Sequence, residues 1–144
     1  MSVLTTDAVQ IQGGSDHLDE VHIAAGYRIG DMVIVSGQAA IDEQGRIVTP
    51  GDFDAQAEQT FTNLKRVLEA AGSSLAQVVK VNIYLTDMAN FAKIVDLRAR
   101  YFTRPWPADT IVGVTALAYP ELEIEIEATA LVNGRLIGPS GTGQ

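Results

Sequence analysis

Two rhythms of apolar residues divide this chain. Between Asp54 and Ala71, Phe61, Leu64, Val67, Leu68 and Ala71 recur at helical spacing and Gly72 follows as a stop, which predicts an amphipathic helix. A second helix is predicted from Met88 to Phe102, with Phe91, Ile94, Val95, Arg98, Tyr101 and Phe102 on its periodic face, and Arg104-Pro105-Trp106-Pro107 ends it. Elsewhere the period is two. Val79, Val81, Ile83 and Leu85 alternate with Lys80, Asn82 and Tyr84, so Val78 to Leu85 reads as a strand. Met32-Val33-Ile34-Val35 is nearly continuous, as in a strand covered on both faces, and makes Asp31 to Ser36 a second one. Val21 to Arg28 precedes it across a turn at Ile29-Gly30-Asp31, and Val9-Gln10-Ile11 offers a short first strand. Thr110 to Leu117 and Leu122 to Val132 complete the set. Turns are expected at Gly13-Gly14-Ser15, at Asp42 to Arg46 and at Asn133-Gly134.

The predicted order, β-β-β-α-β-α-β-β, defines an α+β domain with one mixed sheet and two helices on one face. The other face must then meet water or another subunit. Residues 1–20 read as an amino-terminal extension holding the possible first strand, 21–137 as the domain, and 138–144 as a flexible Gly/Ser/Pro-rich tail.

Composition narrows the chemistry. With 144 residues, 47% hydrophobic and 19% charged, the chain can build one ordinary core. A net charge of -8 opposes a nucleic-acid partner held through its phosphates. The absence of cysteine removes disulfides, thiol nucleophiles and thiolate metal sites. His17 and His22 have no partner motif for a metal site, and no cofactor is expected. No apolar run nears the roughly 20 residues that span a bilayer, and the start lacks a basic segment followed by an apolar one. The expectation is a cytoplasmic protein with no membrane partner.

Three features carry candidate chemistry. Glu121-Leu122-Glu123-Ile124-Glu125-Ile126-Glu127 places four carboxylates on one strand face and three aliphatic side chains on the other. On composition alone this reads as a solvated face. Ser36-Gly37 ends a buried strand, where it reads either as a cleft lining or as a polar strand end with a bulge or turn glycine. No histidine-plus-acid arrangement accompanies Ser36, so it is not a triad nucleophile. Asp109 follows Pro107 at a strand start, a position where aspartate can cap a local turn.

Four stretches carry a resemblance to a known family. They are Val33-Ile34-Val35-Ser36-Gly37-Gln38; Gln59 through Asn63-Leu64 to Ala71-Gly72-Ser73-Ser74-Leu75; Val79-Lys80-Val81 to Tyr84-Leu85-Thr86-Asp87-Met88; and Ile124-Glu125-Ile126-Glu127-Ala128. In order and spacing, from about Ala24 to Val132, the chain resembles the YjgF/Rid family, the enamine/imine deaminases also known as endoribonuclease L-PSP domains. The resemblance implies a homotrimer with active-site clefts between subunits. It gives Glu125 the role of holding or activating the water that hydrolyses a C=N bond, leaves Glu127 structural, and places Ser36 and Gly37 in the cleft.

The resemblance also isolates departures. Asp109 stands where the family usually carries an arginine that grips a substrate carboxylate, with its charge reversed. An aspartate there is expected to repel such a carboxylate, to be open to a substrate ammonium, and to raise the pKa of a nearby Glu125. Ile23 replaces an aromatic hydroxyl, Val95 an asparagine that contacts ligand, and Ile111 a small or sulfur-bearing residue. One extra residue also separates Asp109 from Glu125. The expectation is cofactor-free hydrolysis of an enamine or imine lacking an α-carboxylate. The alternative is a non-catalytic trimer that binds a metabolite or a protein on the same scaffold.

Overall fold

The computed structural model describes residues 1–4, 6–13 and 16–140. Six strands form one mixed sheet: β1 (Ala8–Gln10), β2 (Gly26–Ile29), β3 (Met32–Ala39), β4 (Val78–Leu85), β5 (Ala108–Gly113) and β6 (Ile124–Leu131), in the order β1-β2-β3-β6-β4-β5. All neighbours are antiparallel except β4 and β5, which run parallel, as strands joined by a helical crossover must. The crossover is α3 (Phe91–Tyr101); α2 (Phe53–Ala70) connects β3 to β4, and a short α1 (Asp16–Glu20) precedes β2.

One core fills the space between the sheet and the two longer helices. β3 contributes Val33 and Val35, β4 contributes Val81, Ile83 and Leu85, and β6 contributes Ile124, Ile126, Ala128 and Ala130. Against them lie Phe61, Leu64 and Leu68 of α2 and Ile94 and Leu97 of α3. Phe61 stacks on Tyr101 with ring centres 4.3 Å apart and meets Phe102 edge-on at 5.9 Å, which ties α2 to the end of α3. Among the described residues, no helix covers the opposite sheet face. Tyr27, Ile29, Met32, Ile34 and Val112 are exposed there, beside Lys80, Asn82, Tyr84, Glu127 and Thr129.

Several boundaries differ from the expectation, each for a hydrogen-bonding reason. Val21 to Ala25 is not strand, because the amides of Val21, His22 and Ile23 donate back to His17, Asp19 and Leu18 and close the unpredicted α1. β5 begins at Ala108 and stops at Gly113, because its parallel partner β4 runs only from Lys80 to Leu85 along it. β6 begins at Ile124, and the expected row of four carboxylates shrinks to Glu125 and Glu127 within the strand. Gly14 and Ser15 of the expected turn, and 141–144 of the expected tail, lie outside the described residues.

α2 is capped by Asp52, whose side chain accepts from the Ala55 amide at 3.0 Å. Its core stripe carries two amides that reach the sheet. Gln56 is fully buried; its Nε2 donates to the Glu121 carbonyl and its Oε1 accepts from the Glu123 amide, both at 2.9 Å. Asn63 donates through Nδ2 to the carbonyls of Ala39 at 2.9 Å and Ile41 at 2.8 Å. The helix therefore fixes the end of β3 and the entry to β6. Replacing Gln56 with Ala removes both part-buried hydrogen bonds, to the Glu121 carbonyl and from the Glu123 amide, and should cost about 2–3 kcal/mol. Exposed Glu58→Ala should stay within about 0.5 kcal/mol. Urea unfolding of the two variants checks the contrast.

Candidate active site

The β3–β6 ladder contains an irregularity that shapes the site. Val35 pairs with Ala128 and Gln38 with Ile126, so Ser36 and Gly37 together oppose Glu127. This β-bulge, one of the two readings of Ser36-Gly37 from sequence, lets Gly37 lie under the side chain of Glu125. A Cβ built on Gly37 would overlap Glu125 Oε1 and stand 2.9 Å from its Cδ. Glycine is needed here for close approach, not for backbone angle. Ser36 is held by its own strand neighbourhood: its hydroxyl donates to the Ala24 carbonyl and its amide to Ala25.

Glu125 is half-buried, and its carboxyl is held above the usual carboxylate range, first by burial and then by the negative charge of Glu127. Within a single chain the causes of this shift do not include Asp109. Glu127, two residues along the same face, accepts at Oε1 from Asn82 Nδ2 and from the Tyr84 hydroxyl, both at 2.7 Å. That bond raises the Tyr84 phenol above its usual pKa, because losing its proton would leave two anions in contact. Glu125 and Gly37 open on a cavity of about 340 Å³, lined also by Ile23, His17, Asn63 and Tyr119.

The remaining sequence-predicted residues lie elsewhere. Val95 and Asp109 line a second cavity of about 400 Å³, at the corner between α3 and β5. Ile111 lies beside Ile83 and packs on the core. Asp109 is not a free carboxylate. In register with buried Val81 it points beneath α3, where Arg98 grips it with two prongs, Nε to Oδ2 at 2.7 Å and Nη2 to Oδ1 at 2.9 Å. The single chain thus holds the predicted site residues in two groups, Ile23, Gly37 and Glu125 in one and Val95 and Asp109 in the other. Sequence reasoning missed Arg98 as the partner of Asp109 and Gln56 as the clamp on β6. Both are polar residues on helical faces that are largely apolar, which was the available signal. Among the described residues, no group of three or more His, Cys, Asp or Glu side chains is placed to hold a metal ion.

Comparison with known proteins fits this architecture. The sequence matches the endoribonuclease L-PSP family over residues 20–132. A RutC family protein of Pyrococcus horikoshii is 42% identical over 103 residues, 72% of this chain and 81% of that protein. A 2-iminobutanoate/2-iminopropanoate deaminase of Dermatophagoides farinae is 34% identical over 105 residues, 73% of this chain and 81% of that protein. Among solved structures, RidA from an Antarctic Psychrobacter superposes with a TM-score of 0.70 at 37% identity, covering 76% of this chain and 87% of its own. A member of the YjgF/YER057c/UK114 family from Mycobacterium tuberculosis gives 0.74 at 31% identity, covering 88% of this chain and all (100%) of its own. The chain belongs to this family, the YjgF/RidA/UK114 or endoribonuclease L-PSP family. Among the described residues, no helix is long and apolar enough to cross a membrane.

The raised Glu125 carboxyl has a consequence for stability. The unfolded chain ionises at the ordinary glutamate pKa and the folded chain only above it, so folding loses stability as pH rises through that interval. Glu125→Gln removes this dependence. Its urea midpoint, relative to wild type, should climb between acidic and neutral pH and level off once the folded carboxyl is ionised. A pH-independent difference would contradict the assignment.

Proposed function

We propose that this protein is a cofactor-independent hydrolase of reactive enamines or imines, releasing a carbonyl compound and ammonia or an amine. The observation that carries the proposal is the half-buried Glu125, seated on Gly37 at a cavity, with its proton affinity raised by burial and by Glu127. The named deaminase among the relatives supports the same reading.

The chemistry balances on one carboxyl group. An enamine first tautomerises to its imine, and protonation of the imine nitrogen makes the carbon electrophilic without a metal or organic cofactor. Ionised Glu125 takes a proton from water as the water oxygen bonds to that carbon, giving a carbinolamine. The Glu125 acid then returns the proton to the amine nitrogen; the C–N bond breaks as the oxygen lone pair forms the carbonyl, and the hydroxyl proton leaves to solvent. A group that both accepts and donates works best with a pKa near the working pH, which is the direction in which Glu125 is moved.

Self-association completes this reading. The helix-free sheet face exposes Tyr27, Ile29, Met32, Ile34 and Val112, an apolar group that a monomer gains little by showing to water. A homotrimer closed over that face would bring the Glu125 cavity of one subunit toward the Asp109 cavity of another and unite the two groups. The substrate is small and lacks an α-carboxylate, since Asp109 offers it no cation. A competing reading, a metabolite- or protein-binding trimer without turnover, is favoured by the tied Arg98–Asp109 pair and predicts that no imine is hydrolysed faster than in buffer.

Hydrolysis is measured by semicarbazide competition on freshly generated imines. Glu125→Gln should lower turnover about 100-fold or more while leaving the circular dichroism spectrum unchanged. Gly37→Ala, which displaces the carboxyl without removing it, should lower it about tenfold or more. Sedimentation should give a trimer, and activity should fall on dilution below its dissociation. Full activity in Glu125→Gln removes the residue from the mechanism.

A further inference from the structure

The cavity at the α3–β5 corner has a composition that defines what it can hold. Its walls are Val95, Ala99, Phe102, Trp106 and Pro107, and among the described residues its charged lining consists of Arg98 and Asp109. Those two are spent on each other. Both Asp109 carboxylate oxygens are taken, and the guanidinium edge carrying Nε and Nη2 is used to take them. Their side chains are only 27% and 15% exposed, so the pair sits partly out of water, where separating it leaves an uncompensated charge.

This arrangement disfavours a charged group of either sign at the floor of the slot, because the pair there is already neutralised. A ligand carboxylate meets an arginine whose charge Asp109 already balances, and it does so beside that like charge. A ligand ammonium has to compete with Arg98 for Asp109 under the same penalty. A neutral apolar group breaks nothing and gains the aromatic and aliphatic walls. Trp106, exposed between two prolines with Arg104 stacked 5.6 Å from its ring, forms the outer wall.

We infer that the Arg98–Asp109 pair is a specificity device, and that the slot it floors takes the uncharged apolar body, aliphatic or aromatic, of the substrate. This rests on the imine-hydrolase reading for its catalytic meaning, and it narrows that reading from an imine without a carboxylate to an uncharged imine with an apolar substituent. It removes the substrate ammonium that the sequence left open for Asp109.

Trp106 is the sole tryptophan, so its fluorescence reports on the slot whether or not any chemistry occurs. Benzamide, benzoate and benzamidinium share one ring and differ in charge, and each is titrated against the full-length protein. Wild type should bind benzamide at least about tenfold more tightly than either ion, with a change in Trp106 emission. Asp109→Asn, which frees Arg98, should shift preference toward benzoate; Arg98→Gln, which frees Asp109, should shift it toward benzamidinium. Equal or tighter binding of an ion by wild type overturns the inference, as does unchanged preference in both variants or a silent Trp106. If binding follows this pattern while wild type hydrolyses no uncharged imine, the slot stands and the catalytic reading fails.

Discussion

The pairing of β3 with β6 across the Ser36–Gly37 bulge is the constraint on which the rest of this structure depends. Ile124, Ile126, Ala128 and Ala130 are buried on one face of β6, and Glu125 and Glu127 lie on the other. A slip of one residue would turn the aliphatic side chains out and the carboxylates in. Each isoleucine so exposed would cost about 1.5–3 kcal/mol, more than one ladder hydrogen bond returns. The apolar face therefore dictates the register. The extra residue in β3 is absorbed by the bulge, and the bulge brings a residue without a side chain under Glu125.

A carboxyl group in that position is held between opposing demands. The core needs Ile124 and Ile126 on either side of it, which half-buries it and raises its proton affinity. Glu127 adds a like charge two residues away and is itself restrained by Asn82 and Tyr84, so it cannot swing clear. The amides of Gln56 and Asn63 fix the strand ends from the helix side. Packing, buried hydrogen bonding and acid strength thus meet at one residue. The fold itself, through burial and a neighbouring charge, is what raises the proton affinity of this carboxyl.

Much of this was legible in the sequence. Helical spacing located α2 and α3 to within about a turn, period-two alternation found β4 and β6, and the count of two helices implied one uncovered sheet face. The strand edges were less legible, because they end where a partner strand ends or where a side-chain amide intercepts the ladder. Residues 21–25 look like strand by composition, yet their amides close α1 instead. Asp109 shows the same limit at the site. Its identity marked the departure from the family pattern, but the arginine that neutralises it lies eleven residues earlier on another element. Arg98 sits on a helical stripe that otherwise reads as core. Charge reversal at one position was visible, and its compensation depended on a contact between elements.

The bulge and its surroundings hold the Glu125 carboxyl above the range of an ordinary surface carboxylate. The most direct test is a carbon-13 NMR titration of the Glu125 carboxyl in the intact protein and in Glu127→Gln. The account predicts a midpoint above the ordinary glutamate value of about 4.3, falling partway back when Glu127 is neutralised, with burial keeping the remainder. A midpoint at the ordinary value, unmoved by Glu127→Gln, would contradict it.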